Sequence, residues 1–304
     1  MLFLLKLAML FIPKQKYKQK VQSIQSMDEK NRDADLSGWE YQKISATDNT
    51  YEHRFYRYPA ASPDAPVILL LHGLNFDGRT FINMKPLAAR YRLLAYDFPE
   101  ESDRYTGKLD DFIDLIDDFL TRMGIKTCYL VGVSFGGIIA LRFAALQKGK
   151  RVKKVVCIST PLTGYTRREI KRTTLLGTWL QKQADYQVYW LMEKMISRFE
   201  KKFPQHLRER LAGMLRIKKN AFYRQVFSSL QGFSGVADVK KIEQEMLVIY
   251  GSKDTLFIPE EEIGKFRALL PRLQCHCIEN GTHAMAFLQG EIIAEHIARF
   301  FLHS

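Results

Sequence analysis

Six short apolar-rich runs constrain this chain more than any other feature: residues 66–71 (PVILLL), 91–96, 127–133, 152–158, 246–250 and 273–279. A strand with one face in water alternates apolar and polar side chains, so an unbroken run such as PVILLL fits a strand covered on both faces. Helical patterns lie between and after the runs, at 81–90, 109–123, 136–147, 259–270 and 284–302. The clearest is LDDFIDLIDDFLTRM at 109–123, with apolar residues at helical spacing and acids on the opposite face. Strands alternating with helices of this length predict an α/β fold, a parallel sheet with helices on both faces. Ahead of them, 41–47 and 51–58 alternate around Asp48-Asn49, which predicts a hairpin.

The alternation stops at residue 162 and resumes after 235. The intervening segment reads as three or four helices rich in aromatics and cations, so a helical insertion interrupts the α/β domain. It holds fifteen Lys or Arg against five Asp or Glu, a surplus of ten in a chain whose net charge is +13. No nucleic-acid recognition element accompanies that charge, and no nucleic-acid partner is expected. A basic, aromatic segment suits an anionic membrane surface or an anionic substrate; solvated helix faces are the other reading.

Residues 1–12 are apolar except for Lys6, and Lys14, Lys16, Lys18 and Lys20 follow. Twelve helical residues reach about 18 Å, short of a bilayer core of about 30 Å. Three readings stay open: a peripheral membrane anchor formed by residues 1–20, a helix folded against the body, and an atypical signal peptide. Residues 21–38 read as a linker or loose helix. Of four cysteines, Cys128 and Cys157 lie in apolar runs and read as buried, while Cys275 and Cys277 share one face of a strand. Neither a disulfide framework nor a structural metal is expected, which fits a reducing, cytoplasmic setting.

The chemistry centres on Gly132-Val133-Ser134-Phe135-Gly136, between an apolar strand and an apolar helix. A serine on such a turn exposes its hydroxyl, and the flanking glycines relieve crowding within it. A serine hydroxyl needs a base, and the base an orienting acid. Of seven histidines, His283 follows the last strand and precedes the last helix, at the sheet edge that carries Ser134. Asp254 follows the strand at 246–250 and reads as the acid, with Glu279 as the fallback. The backbone amides of Leu74, after Gly73, and of Phe135 are the candidate oxyanion donors. His72 is expected to be structural. No cofactor is called for.

The motifs HGLN at 72–75, GVSFGG at 132–137, YGSKD at 250–254 and GTH at 281–283 give the chain order Ser, Asp, His. On them, residues 41–302 resemble the α/β-hydrolase superfamily. The resemblance implies a mostly parallel eight-stranded sheet, core segments 39–161 and 236–304, and a helical cap at 162–235 inserted after the sixth strand; residues 1–38 precede the core. It implies a serine hydrolase acting on a small-molecule carboxylic ester. The aromatic cap suggests an apolar acyl group, as in a monoacylglycerol or lysophospholipid. An acyltransferase, a thioesterase or an inactive binding protein of the same fold is the alternative. Residues 97–103 read DFPEESD, without the glycine-rich loop that many capped members carry there, so the resemblance extends to the triad rather than to the substrate.

Overall fold

The computed structural model describes residues 12–25, 38–99, 108–146, 150–161, 185–216, 225–226, 228–230, 233, 235–255, 263–264, 267–268 and 273–302. Eight strands form one sheet: β1 (Glu40–Ser45), β2 (Glu52–Tyr58), β3 (Val67–Leu71), β4 (Arg92–Asp97), β5 (Cys128–Val133), β6 (Val152–Ile158), β7 (Glu245–Gly251) and β8 (Leu273–Ile278), in the order β1-β2-β4-β3-β5-β6-β7-β8. β3 to β8 run parallel, and β1 and β2 add an antiparallel edge. The β1–β2 hairpin turns at Asp48-Asn49, where Asn49 has φ 56° and Asp48 Oδ1 accepts from the Thr50 N–H. Asn and Asp tolerate such turns because their short side chains bond the local backbone.

Every residue of β3 is buried, and alternate residues face different cores. Val67, Leu69 and Leu71 join Phe112, Phe119 and Ile139 on one side; Ile68 and Leu70 join Phe81, Met84 and Ile297 on the other. The first side is covered by α2 (Leu109–Arg122) and α3 (Phe135–Ala145). The second is covered by a 3₁₀ segment, Gly78–Ala89, and by the helix Gly290–Leu302, designated α8 below.

Two helices differ from the sequence expectation. The segment expected as a helix at 81–90 is 3₁₀, and it contains Pro86, which has no N–H to give an i→i−4 bond. The helix expected at 284–302 is broken at Gln289 into α7 (Met285–Leu288) and α8. The break lets Asn83 Nδ2 donate to the Phe287 carbonyl at 2.6 Å and lets Gly290 pack on Asn83. The helix expected at 259–270 lies largely outside the described residues.

Between β6 and β7 the described residues form α4 (Asp185–Phe199), α5 (Gln205–Gly213) and α6 (Gly235–Val239). Trp179, Leu180 and the rest of 162–184 lie outside them. Residues 14–25 form α1 (Lys14–Gln25), which lies on α4. Ile12, Tyr17 and Val21 bury themselves with Tyr189 and Leu215, Tyr17 Oη donates to Glu193 Oε2 at 2.5 Å, and Lys20 pairs with the same carboxylate. The folded-back reading therefore describes 14–25, and any linker starts after Gln25; Lys14, Lys16 and Lys18 stay exposed. The apolar residues 1–11 lie outside the described residues. Among the described residues no helix is long and apolar enough to cross a membrane.

Candidate active site

Loops from the C-terminal ends of β3, β5, β7 and β8 meet at one edge of the sheet, where parallel α/β sheets carry ligands. Ser134 occupies the turn from β5 into α3 with φ 51° and ψ −115°. A positive φ is costly for a residue with a Cβ, so the surroundings must hold it. Its N–H donates to the Ile158 carbonyl at 2.8 Å, and its carbonyl accepts from Gly137 and Ile138 at 3.0 and 3.3 Å. Close approach explains the flanking glycines: a Cβ on Gly132 would lie 2.3 Å from the Gly136 oxygen, and one on Gly136 would lie 2.0 Å from the Leu71 oxygen.

The structure brings Ser134, His283 and Asp254 together from three loops. His283 Nε2 is 3.1 Å from Ser134 Oγ. Its Nδ1 lies 2.9 Å from Asp254 Oδ2 and 3.2 Å from Oδ1. With the carboxylate ionised, Nδ1–H donates to Asp254 and Nε2 is left to accept from the serine hydroxyl. Asp254 is buried and His283 is partly exposed, so the imidazole has an approach from solvent and its acid does not. Glu279 is exposed just past β8, away from that pairing. The acid and histidine loops are also laced together. Lys253 N–H donates to the Gly281 carbonyl at 2.8 Å, and Asn280 N–H donates to Ser252 Oγ at 2.8 Å.

After β3, the Phe76 N–H donates to the Gly73 carbonyl at 3.1 Å, closing a turn with Leu74 at its second position. Among the described residues, neither the Leu74 N–H nor the Phe135 N–H donates to another backbone carbonyl. Both therefore remain available to an anionic oxygen near Ser134. Gly73 opens that turn. It has no positive φ, and an added Cβ would stand 3.7 Å from Ser134 Cβ. A methyl there fits the backbone but takes up space beside the nucleophile. His72 is buried, with Nδ1 2.7 Å from the Gly73 carbonyl and Nε2 accepting from Phe98 N–H at 3.0 Å, so both ring nitrogens are engaged.

Residues without a sequence signature complete the surroundings. Asp77 is fully buried and meets Arg79 at 2.8 Å and Arg216 at 2.6 Å. Burial works against its charge, but the two guanidiniums overcome that and hold its carboxyl well below the usual range. The Arg216 N–H donates to the Asn75 carbonyl at 2.7 Å, so the segment after α5 grips the turn that carries Leu74. Glu200, just after α4, is buried and accepts from Thr282 Oγ1 at 2.9 Å. Among the described residues no cluster of His, Cys, Asp and Glu is arranged to hold a metal.

Residues 66–289 match the model of the alpha/beta hydrolase fold family. The chain belongs to that family. Among curated relatives of this α/β hydrolase, the uncharacterized carboxylesterase nap of Bacillus subtilis is 21% identical over 247 residues, covering 78% of this chain and 80% of that one. Carboxylesterase YbfK of the same organism is 21% identical over 293 residues, covering 88% and 91%. Among solved structures, a thermophilic esterase from Thermogutta terrifontis superposes with a TM-score of 0.70 at 16% identity, over 86% of this chain and 98% of that one. A bacterial membrane phospholipase A gives 0.66 at 21% identity, over 99% and 95%.

Proposed function

We propose that this α/β hydrolase cleaves carboxylic esters through an acyl-enzyme on Ser134. The observation that carries the reading is the continuous path from Ser134 Oγ to His283 Nε2 at 3.1 Å and from Nδ1 to Asp254 at 2.9 Å. His283 takes the hydroxyl proton as Oγ bonds to the ester carbonyl carbon. Asp254 orients the ring and stabilises the imidazolium. The amides of Leu74 and Phe135 receive the tetrahedral oxyanion. Collapse expels the alkoxide, which His283 protonates. Water then attacks the acyl-serine with His283 again as base, giving the free acid and restoring the serine. The two Bacillus relatives, both named carboxylesterases, support an ester over other acyl derivatives.

The substrate reading is a lipophilic ester, with residues 162–235 as a cap over the acyl pocket and the core formed by 39–161 and 236–304. Tyr186, Trp190 and Met192 of α4, all partly buried, pack where α4 meets α1 and give this segment its apolar character. Exposed Lys14, Lys16 and Lys18 support a peripheral contact with anionic membranes. A fluorophosphonate probe should label the wild type and not Ser134→Ala; equal labelling of both sinks the nucleophile. In a panel of aryl esters, activity that rises with chain length and with anionic liposomes supports the lipid reading. A preference for acetyl esters without a liposome effect removes it.

A further inference from the structure

Glu200 is the one carboxyl from the segment between β6 and β7 that the described structure buries against the histidine loop. Its Oε2 accepts from Thr282 Oγ1 at 2.9 Å, and Thr282 is covalently next to His283. Two residues further on, Lys202 Nζ donates to the Asn280 carbonyl of the same loop. The end of α4 therefore holds the loop from two points, one buried and one exposed. The titratable groups around the carboxyl are Lys202 from its own turn, Asp254 from the loop after β7 and His283 from the loop after β8.

A carboxyl is an expensive group to bury for the sake of a tether. A glutamine would accept the same hydroxyl hydrogen bond without the cost of desolvating a charge. What only the carboxylate supplies is negative charge beside a ring that turns cationic each time the serine is deprotonated. We propose that Glu200 is a positioning residue for His283, fixing the imidazole through Thr282 and adding a second negative charge to the surroundings of the imidazolium. The proposal rests on the reading of His283 as the base.

Burial, and behind it the charge of Asp254, raises the Glu200 carboxyl above its ordinary value, while the Thr282 bond, Lys202 and His283 pull it down. Glu200 thus gives up its charge at a higher pH than an ordinary glutamate would. A carboxylate near an imidazole raises the pH at which that imidazole protonates, so removing the charge must move the acid limb of kcat/KM to lower pH.

The test is the pH profile of aryl-ester hydrolysis by the full chain, wild type against Glu200→Gln and Glu200→Ala. Glu200→Gln keeps the acceptor and loses the charge; its acid limb is expected at least about half a pH unit lower. Glu200→Ala loses both, and kcat should fall about tenfold with KM unchanged, because the carboxyl is buried against Thr282. Glu200→Gln recovers most of that loss, since it restores the bond to Thr282. An unmoved acid limb in Glu200→Gln overturns the proposal, and so does a fall confined to KM. If that variant fails to fold, Thr282→Val takes its place; a wild-type kcat there is equally fatal. Ser134→Ala runs alongside. A labelled Ser134→Ala refutes the triad, whereas an unlabelled one beside an unmoved limb refutes Glu200 alone.

Discussion

Asp77→Asn separates charge from shape in the most deeply buried ionic cluster of the described structure. The native carboxylate is fully buried and faces two guanidiniums, Arg79 at 2.8 Å and Arg216 at 2.6 Å. It also caps the 3₁₀ segment, accepting from the Arg79 N–H at 3.0 Å. Asparagine is as good an N-cap as aspartate and nearly the same size, so capping and packing survive the substitution. What changes is the charge count: two largely buried cations lose the carboxylate between them. Removing one partner of a buried ion pair costs about 3–5 kcal/mol, a large share of the roughly 5–15 kcal/mol by which domains are stable. Urea unfolding followed by far-UV circular dichroism measures the loss. The difference from wild type should hold between about pH 5 and 8, because the Asp77 contribution is complete above the unfolded value of about 3.9 and disappears only as acid reaches the depressed folded value. A triple variant, Asp77→Leu, Arg79→Met and Arg216→Met, should lie closer to wild type than Asp77→Asn does, since no uncompensated charge remains. A loss below about 1 kcal/mol for Asp77→Asn, or a triple variant less stable than the single, would refute the reasoning.

Asp254→Asn should leave the fold intact and lower kcat by about 10³–10⁴, because an amide no longer holds Nδ1 protonated and Nε2 free; near-wild-type turnover would remove Asp254 from the site. Gly136→Ala should cost about 3 kcal/mol or more in the same unfolding assay, since its methyl would meet the Leu71 oxygen at 2.0 Å and backbone cannot step aside as a side chain can; a cost under 1 kcal/mol would contradict the close approach. His53 is buried between Tyr96 and Asp118, and desolvation lowers its pKa despite the carboxylate. A base with a depressed folded value stabilises fully above its unfolded value of about 6.5 and loses that contribution as pH falls through it. His53→Phe should therefore flatten the stability profile between about pH 6.5 and 5, and an unchanged slope there would count against a neutral ring.

Much of the architecture was legible because the signals are local. PVILLL needs no partner to announce a strand covered twice, and Asp48-Asn49 announces its own turn. That Ser134, Asp254 and His283 would meet was legible for the same reason, since each follows a strand at a short offset and parallel strands deliver their ends to one edge. What failed to show is long-range. Nothing in FEKKFP at 199–204 marks Glu200 as buried, because lysines on both sides make the stretch look solvated. Arg216 sits in a segment whose cations read as a charged face, yet it lies against Asp77, more than a hundred residues earlier. The lysines after residue 13 suggested a membrane-facing row, and only the meeting of Tyr17 with Tyr189 and Glu193 fastens their helix to α4. Pro86 lies inside the stretch expected as a helix, where its missing N–H favours the 3₁₀ form.

The lacing of the loops after β7 and β8 divides the proposed catalytic apparatus mechanically. Asp254 and His283 travel as one unit, while Ser134 belongs to β5, with β6 lying between. A distortion of the sheet would leave the Asp254–His283 pairing nearly constant and alter chiefly its distance from Ser134. Inactivating changes far from the centre should then fall into two kinds: those that detune the base by loosening the laced unit, and those that leave it fully tuned but out of reach.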